Sequence, residues 1–222
     1  MQLIENELNI DRFRLAFSKY THKAFQILPR LRFPRILDIG CGSGIPTLEL
    51  AKLSDGEIIG IDTNQPALDR LKIKIIEKGF EGRIQALNQS LFHIEFPPDS
   101  FDILWAEGVM GIIPFEKALS EWRVLLRTRG FLVVHDVCHD YQLKKQVISS
   151  SDYSLFAYFS LPPDAWWTLY YAPLESRLKE LRAKYQDNIE VQDILQRHQN
   201  EVDMIKPNPQ KFQTAFFIIQ KE

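Results

Sequence analysis

Between residues 35 and 137 the chain alternates short β-branched apolar runs with stretches of helical period. Ile36, Leu37 and Ile39, broken only by Asp38, read as a central parallel strand buried on both faces. Further strands are expected at 57–61, 83–87, 103–106 and 131–134. Helices are expected between them. One spans 45–53; a second runs from Pro66 to Lys78, turns Leu68, Leu71 and Ile75 to the sheet and ends at Gly79. A third carries Phe115, Ala118, Leu119, Trp122 and Leu126 at helical spacing. Strands alternating with helices in this way predict an α/β domain.

The flanks are less regular. Asp11 can cap a helix reaching about residue 28, with Phe13, Ala16, Phe17, Tyr20 and Ala24 on one stripe. It serves either as a helix on the sheet edge or as a flap over a ligand, with Tyr20 as its contact. Pro29 and Pro34 close the segment. After Asp140 the pattern loosens, and the return to a parallel sheet is slower than usual. Residues 138–206 therefore read as an insertion roofing the far side of a site. Phe156, Tyr158, Phe159, Trp166, Trp167, Tyr170 and Tyr171 are candidates for an apolar wall there. Their alternative uses are a small core of the insertion's own or a homodimer contact. Leu174, Leu178, Leu181 and Tyr185 mark a helix, 189–199 another, and 201–205 with 212–220 a closing pair of strands. The domain then divides into an N-terminal helix (1–34), a core (35–137), the insertion (138–206) and a closing segment (207–222).

The most informative stretch follows the first strand. Gly40, Gly42 and Gly44 fall at every second position, where the lack of Cβ atoms permits a tight turn and lets a ligand lie against the backbone. The helix that follows points its first N–H groups into the turn, which favours a negatively charged or carboxylate-bearing ligand. A dinucleotide fingerprint would place a glycine or alanine at position 45, and Ile45 breaks that match. The second strand ends at Asp62, where a carboxylate can take both hydroxyls of a ribose.

Composition narrows the partners. With 222 residues, 45% hydrophobic and 25% charged, the chain suits one ordinary globular domain with a sizeable core. A net charge of −2 leaves no electrostatic footprint for nucleic acid or an anionic membrane. Cys41 and Cys138 suggest neither a disulfide framework nor a metal cluster. The first residues carry acids where a signal peptide needs basic and then apolar ones, and no apolar run is long enough to span a bilayer. A cytoplasmic setting is expected.

The pattern D-x-G-x-G-x-G from Asp38 to Gly44 resembles motif I of class I S-adenosylmethionine-dependent methyltransferases. The lead-in from Phe96 to Asp102, F-P-P-D-S-F-D, resembles the stretch before strand four in many small-molecule members, and WAEG, FEKALSEWRVLL and FLVVHD resemble a prokaryotic subgroup. The resemblance implies a Rossmann-like, doubly wound sheet of seven strands in the order 3-2-1-4-5-7-6, the last strand antiparallel, plus the helical and aromatic insertion. It implies S-adenosylmethionine as cofactor and S-adenosylhomocysteine as product. Asp38, Gly40 and Gly42 would hold the methionine part, Asp62 the ribose, and Ser90 and Leu91 the adenine, with Gly44 completing the cofactor-binding turn. Ser90 stands where the family commonly has an acid; a serine can still accept a hydrogen bond from the adenine amino group.

Three residues are candidates for the chemistry. Glu107 ends the fourth strand, where open α/β sheets place their ligands, and its carboxylate would lie near the sulfonium or the acceptor. His135 and His139 follow the fifth strand and could contact the acceptor or remove its proton. As a metal site that cluster is poor, because no further histidine or acid recurs at ligand spacing, and no metal is expected. A sulfonium methyl is already a good electrophile, so the protein mainly aligns the acceptor and excludes water. The runs that mark amino methylation of adenine or glutamine, or cytosine C5 methylation, are absent after strand four. A small, partly apolar acceptor remains by elimination. The rival readings are a nucleotide-cofactor oxidoreductase on the same fold and a non-catalytic S-adenosylmethionine binder.

Overall fold

The computed structural model describes residues 2–222. In chain order, α1 (Gln2–Leu8) and α2 (Ile10–Arg14) lead through a 3-10 turn (Leu15–Phe17) into α3 (Ser18–Ile27). Then come β1 (Arg35–Ile39), α4 (Ile45–Leu53), β2 (Glu57–Asp62), α5 (Gln65–Glu77), β3 (Ile84–Asn88), β4 (Phe101–Glu107) and α6 (Phe115–Trp122). The chain continues as β5 (Leu126–Val137), α7 (Tyr141–Ser149) and β6 (Tyr153–Ser160). A π-helical turn (Trp167–Tyr171) opens into α8 (Ala172–Lys184), followed by α9 (Ile189–Ile205) and β7 (Thr214–Lys221).

All seven strands join one sheet in the order β3-β2-β1-β4-β5-β7-β6. β1 to β5 run parallel, and β7 lies antiparallel between β5 and β6. Burial explains the run of apolar residues in the central strands: Ile36, Leu37, Ile39, Leu104 and Trp105 are fully enclosed. Start signals written in the sequence are used. Asn64 caps α5 by accepting from the Ala67 N–H at 3.1 Å, with Pro66 in its first turn.

The chain forms two compact units. The sheet unit comprises Ser18–Ser160 and Thr214–Glu222. The helical unit comprises the residues up to Phe17 together with Leu161–Gln213. Within the helical unit Glu7 accepts from Lys184 at 2.8 Å and from the Tyr185 hydroxyl at 2.6 Å, which holds its carboxyl below the usual carboxylate range. Trp166 packs on Phe17 at 4.5 Å and on Tyr170 at 5.7 Å, with the Arg14 guanidinium 5.1 Å from its ring. Trp166, Tyr170 and Phe17 thus build a core for that unit. On β6, Phe159 stacks on Phe216 and Tyr158 packs against Tyr141 and Phe217. Among the described residues no helix is long and apolar enough to cross a membrane.

Three expectations are corrected. The helix expected from Asp11 to residue 28 is split: Asn9, at φ 48°, stands at the N-cap, and the 3-10 turn breaks the run before Ser18. Its apolar stripe is divided between the units, with Phe13 on Tyr170 and Phe17 on Trp166, while Thr21 and Ala24 are buried in the sheet unit. The closing strands are β6 and β7, whereas residues 201–205 end α9, where Leu195, Val202 and Ile205 share its buried face. Residues 138–160, expected within the insertion, supply α7 and the edge strand β6. The sequence does not mark β6 because an irregularity in its pairing between Leu155 and Ala157 and partial exposure of both faces erase the strand period.

Candidate functional site

The turn after β1 is built from three glycines with φ of 73°, 52° and 83° at Gly40, Gly42 and Gly44. A Cβ on Gly40 would run into the Val109 side chain, and one on Gly44 into Leu71, so packing as well as backbone conformation requires glycine at both. Gly42 differs: a Cβ there meets nothing within 4 Å. The middle of the turn therefore presents open backbone. Gly44 occupies the N-cap of α4 without a side-chain cap.

Asp62 braces this turn. Its Oδ2 accepts from the Gly42 N–H and its Oδ1 from the Asn64 N–H, both at 2.8 Å. A carboxylate has about four lone-pair sites, so each oxygen can still accept a further hydroxyl. The Gln89 N–H donates to the Asp62 carbonyl at 3.2 Å, bringing the loop after β3 beside the end of β2. Ser90 Oγ accepts from the Phe92 N–H at 3.2 Å, and the Leu91 carbonyl accepts from Trp122 Nε1 at 3.1 Å.

Asp38 is 1% exposed and accepts from the Thr47 hydroxyl at 2.5 Å. Burial pushes its carboxyl up to about 7; the Thr47 bond opposes that rise, and the nearby charges of Glu107 and Asp62 add to it. Three carboxylates thus act on one small region, an arrangement that favours a cationic ligand. Cys41, in the same turn, has its thiol pushed far up by burial and then by Asp38 and Asp62, which disfavours the thiolate.

Glu107 ends β4 with its Oε1 accepting from Thr21 Oγ1 at 2.8 Å and from Trp105 Nε1 at 2.7 Å. His135 pairs with Glu107 in the β4–β5 register. It is buried, with its Nε2 2.7 Å from the Thr214 hydroxyl and its ring stacked on Phe216. His139 lies past the end of β5 and is exposed. The loop carrying it is tied down by Lys144, which is buried, pairs ionically with Asp136 at 2.6 Å and Asp140 at 2.7 Å and donates to the Val137 carbonyl at 2.6 Å. Tyr20, on α3, is half-buried beneath the Lys19 ammonium. The structure gathers Asp38, Asp62, Glu107 and the glycines; it places His135 in the packing between β5 and β7.

Sequence reasoning missed Thr21, Thr47 and Thr214, whose hydroxyls hold the candidate groups, and Gln89, whose Oε1 is buried without a hydrogen-bond partner. No local signal marks the three threonines, because each partner sits on another element, and none marks Gln89.

A family description, "Methyltransferase domain", matches residues 34–202. The chain belongs to this methyltransferase-domain family. Among relatives, a sterol 24-C-methyltransferase of Neurospora crassa is 28% identical over 127 residues, covering 57% of this chain and 34% of its own length. A 27-O-demethylrifamycin SV methyltransferase of Amycolatopsis mediterranei is 28% identical over 127 residues, covering 54% and 45%. The chain thus spans less than half the length of the curated relatives it matches. Among solved structures, a methyltransferase from Geobacter sulfurreducens in complex with S-adenosyl-L-homocysteine superposes with a TM-score of 0.76 at 14% identity, covering 92% of this chain and 91% of that one. The methyltransferase domain accordingly has the Rossmann-like class I fold, with the strand order expected from the resemblance.

Proposed function

We propose that the protein is a cytoplasmic S-adenosylmethionine-dependent methyltransferase acting on a small, partly apolar molecule by in-line displacement. The observation that carries the reading is the open backbone at Gly42, braced by Asp62 and overlooked by the charges of Asp38 and Glu107. A ligand carrying an ammonium and a sulfonium suits that environment. Bound there, the cofactor supplies an electrophilic methyl group.

The chain's own residues do the rest. Gly40, Gly42 and Gly44 keep backbone rather than side chain against the methionine part, and Asp38 contributes negative charge to it. Asp62 accepts from the ribose hydroxyls, while Ser90 and Leu91 flank the adenine. Transfer then depends on holding an acceptor lone pair in line behind the methyl carbon and keeping water away. The named acceptors of the two relatives, a sterol and a demethylrifamycin, are partly apolar small molecules, which supports the acceptor class. His139, exposed on the loop after β5, is the candidate proton acceptor if the attacking atom is a hydroxyl oxygen.

The test is calorimetry with S-adenosylhomocysteine, followed by a labelled-methyl screen over small molecules, protein and nucleic acid. Binding together with label in an apolar small molecule is expected; label only in protein or nucleic acid overturns the acceptor class. Tight NADH binding without S-adenosylhomocysteine binding overturns the cofactor. Gly42→Val, whose Cβ meets no protein atom within 4 Å although the backbone must hold φ 52°, a conformation L side chains rarely adopt, puts a side chain where ligand must approach and should abolish cofactor binding while the circular dichroism spectrum stays native. Retained binding would mean that the turn is not the cradle.

A further inference from the structure

Glu107 is held more tightly than a loop acid needs to be. Trp105 is wholly enclosed, and its Nε1 donates to the Glu107 carboxylate at 2.7 Å; Thr21, 2% exposed on α3, donates to the same oxygen at 2.8 Å. Two donors on one carboxylate oxygen fix its direction. β1 and β4 are neighbours with Asp38 opposite Trp105, so Glu107 lies two residues beyond Trp105 as Gly40 lies two beyond Asp38. Val109, two residues further on, fills the space above Gly40. The charge of Glu107 is felt at Asp38. The carboxylate is therefore fixed beside the glycine turn.

We infer that Thr21 and Trp105 are positioning residues that hold Glu107 as a counter-charge for the sulfonium, and that Glu107 is not the proton acceptor of the reaction. The inference rests on the cofactor reading above. On transfer, the bond from sulfur to the methyl carbon breaks, its electron pair stays on sulfur, and the sulfonium becomes a neutral thioether while the methyl group passes to the acceptor. A fixed anion beside the sulfur attracts the donor and loses that attraction when the product forms. Because positive charge is already leaving sulfur in the transition state, the anion does not speed the chemical step. Its effect is discrimination: the methyl donor is retained and the spent product is released.

The test uses calorimetry of the full chain with S-adenosylmethionine and S-adenosylhomocysteine in parallel, so no acceptor is needed. Glu107→Gln should weaken the sulfonium compound roughly tenfold and leave the thioether within about twofold. Thr21→Val should move the ratio of the two affinities in the same direction by several-fold, and Thr21→Ser should restore it. Loss of both compounds in equal measure, or an unchanged ratio in Glu107→Gln, overturns the inference, because a residue that only maintained the turn would act on the parts the two ligands share. If Thr21→Val does not fold, Glu107→Gln alone decides. Failure of the native protein to bind either compound would strike the cofactor reading instead, which keeps the two failures apart.

Discussion

Asp62→Ala is expected to weaken S-adenosylmethionine and S-adenosylhomocysteine alike by at least tenfold. Two losses combine. The ribose hydroxyls lose an ionised acceptor, and hydrogen bonds to charged groups contribute about 1.5–3 kcal/mol each, where about 1.4 kcal/mol is tenfold in affinity. The Gly42 N–H also loses the partner that holds the middle of the turn at 2.8 Å. Asp62→Asn should not rescue binding: its oxygen can still accept from Gly42, but its amide nitrogen would then face the Asn64 N–H, donor against donor. Calorimetry is the measurement, and unchanged affinity in the alanine variant would remove Asp62 from the site. Because Asp62 meets the half of the molecule common to donor and product, its effect is the same on both, unlike that expected of Glu107.

Asp38 should dominate the pH dependence of the ligand-free protein. Its carboxyl lies at about 7 in the folded chain against an ordinary 3.8, chiefly through burial. Between these values the unfolded chain has released the proton while the folded chain still holds it. The folded state thus binds more protons, and stability falls as pH rises from about 4 to about 7. Above that range the burial of the charge costs on the order of 4 kcal/mol. Asp38→Asn should remove this slope and raise the melting temperature at pH 8 relative to the native protein, with little difference near pH 4. A cationic ligand favours the ionised carboxylate, so the thermal gain from S-adenosylmethionine should be larger at pH 8 than at pH 6 in the native protein and lose that dependence in Asp38→Asn. Parallel melting curves for both proteins from pH 5 to 8 would refute the assignment.

The parts of the fold legible in the sequence are those specified by nearest neighbours. The strand at Ile36–Ile39, the glycine turn and the helix from Ile45 follow from residue type and spacing, because a buried parallel strand needs unbroken apolar residues and a tight turn needs glycine. Asp62 was legible for the same reason, as the polar end of an apolar run. β6 was not. Its residues face partly exposed surroundings on both sides, and its strand character comes from pairing with β7, more than fifty residues away. The helix expected from Asp11 differs for another reason: its apolar stripe is divided, with Phe17 buried in one unit and Ala24 in the other.

By itself, then, the sequence determined the alternation of strand and helix, the glycine turn and the acid at the end of β2, since each depends on backbone freedom or burial within a few residues. Only the tertiary structure decided that Thr21 on α3 grips Glu107 on β4, that Thr47 meets a buried Asp38, and that Thr214 takes up His135. Such bonds join groups from separate elements, and no local rule specifies them: a threonine has the same propensity whether its hydroxyl meets water or a carboxylate. Its partner is set by the packing of whole helices against the sheet.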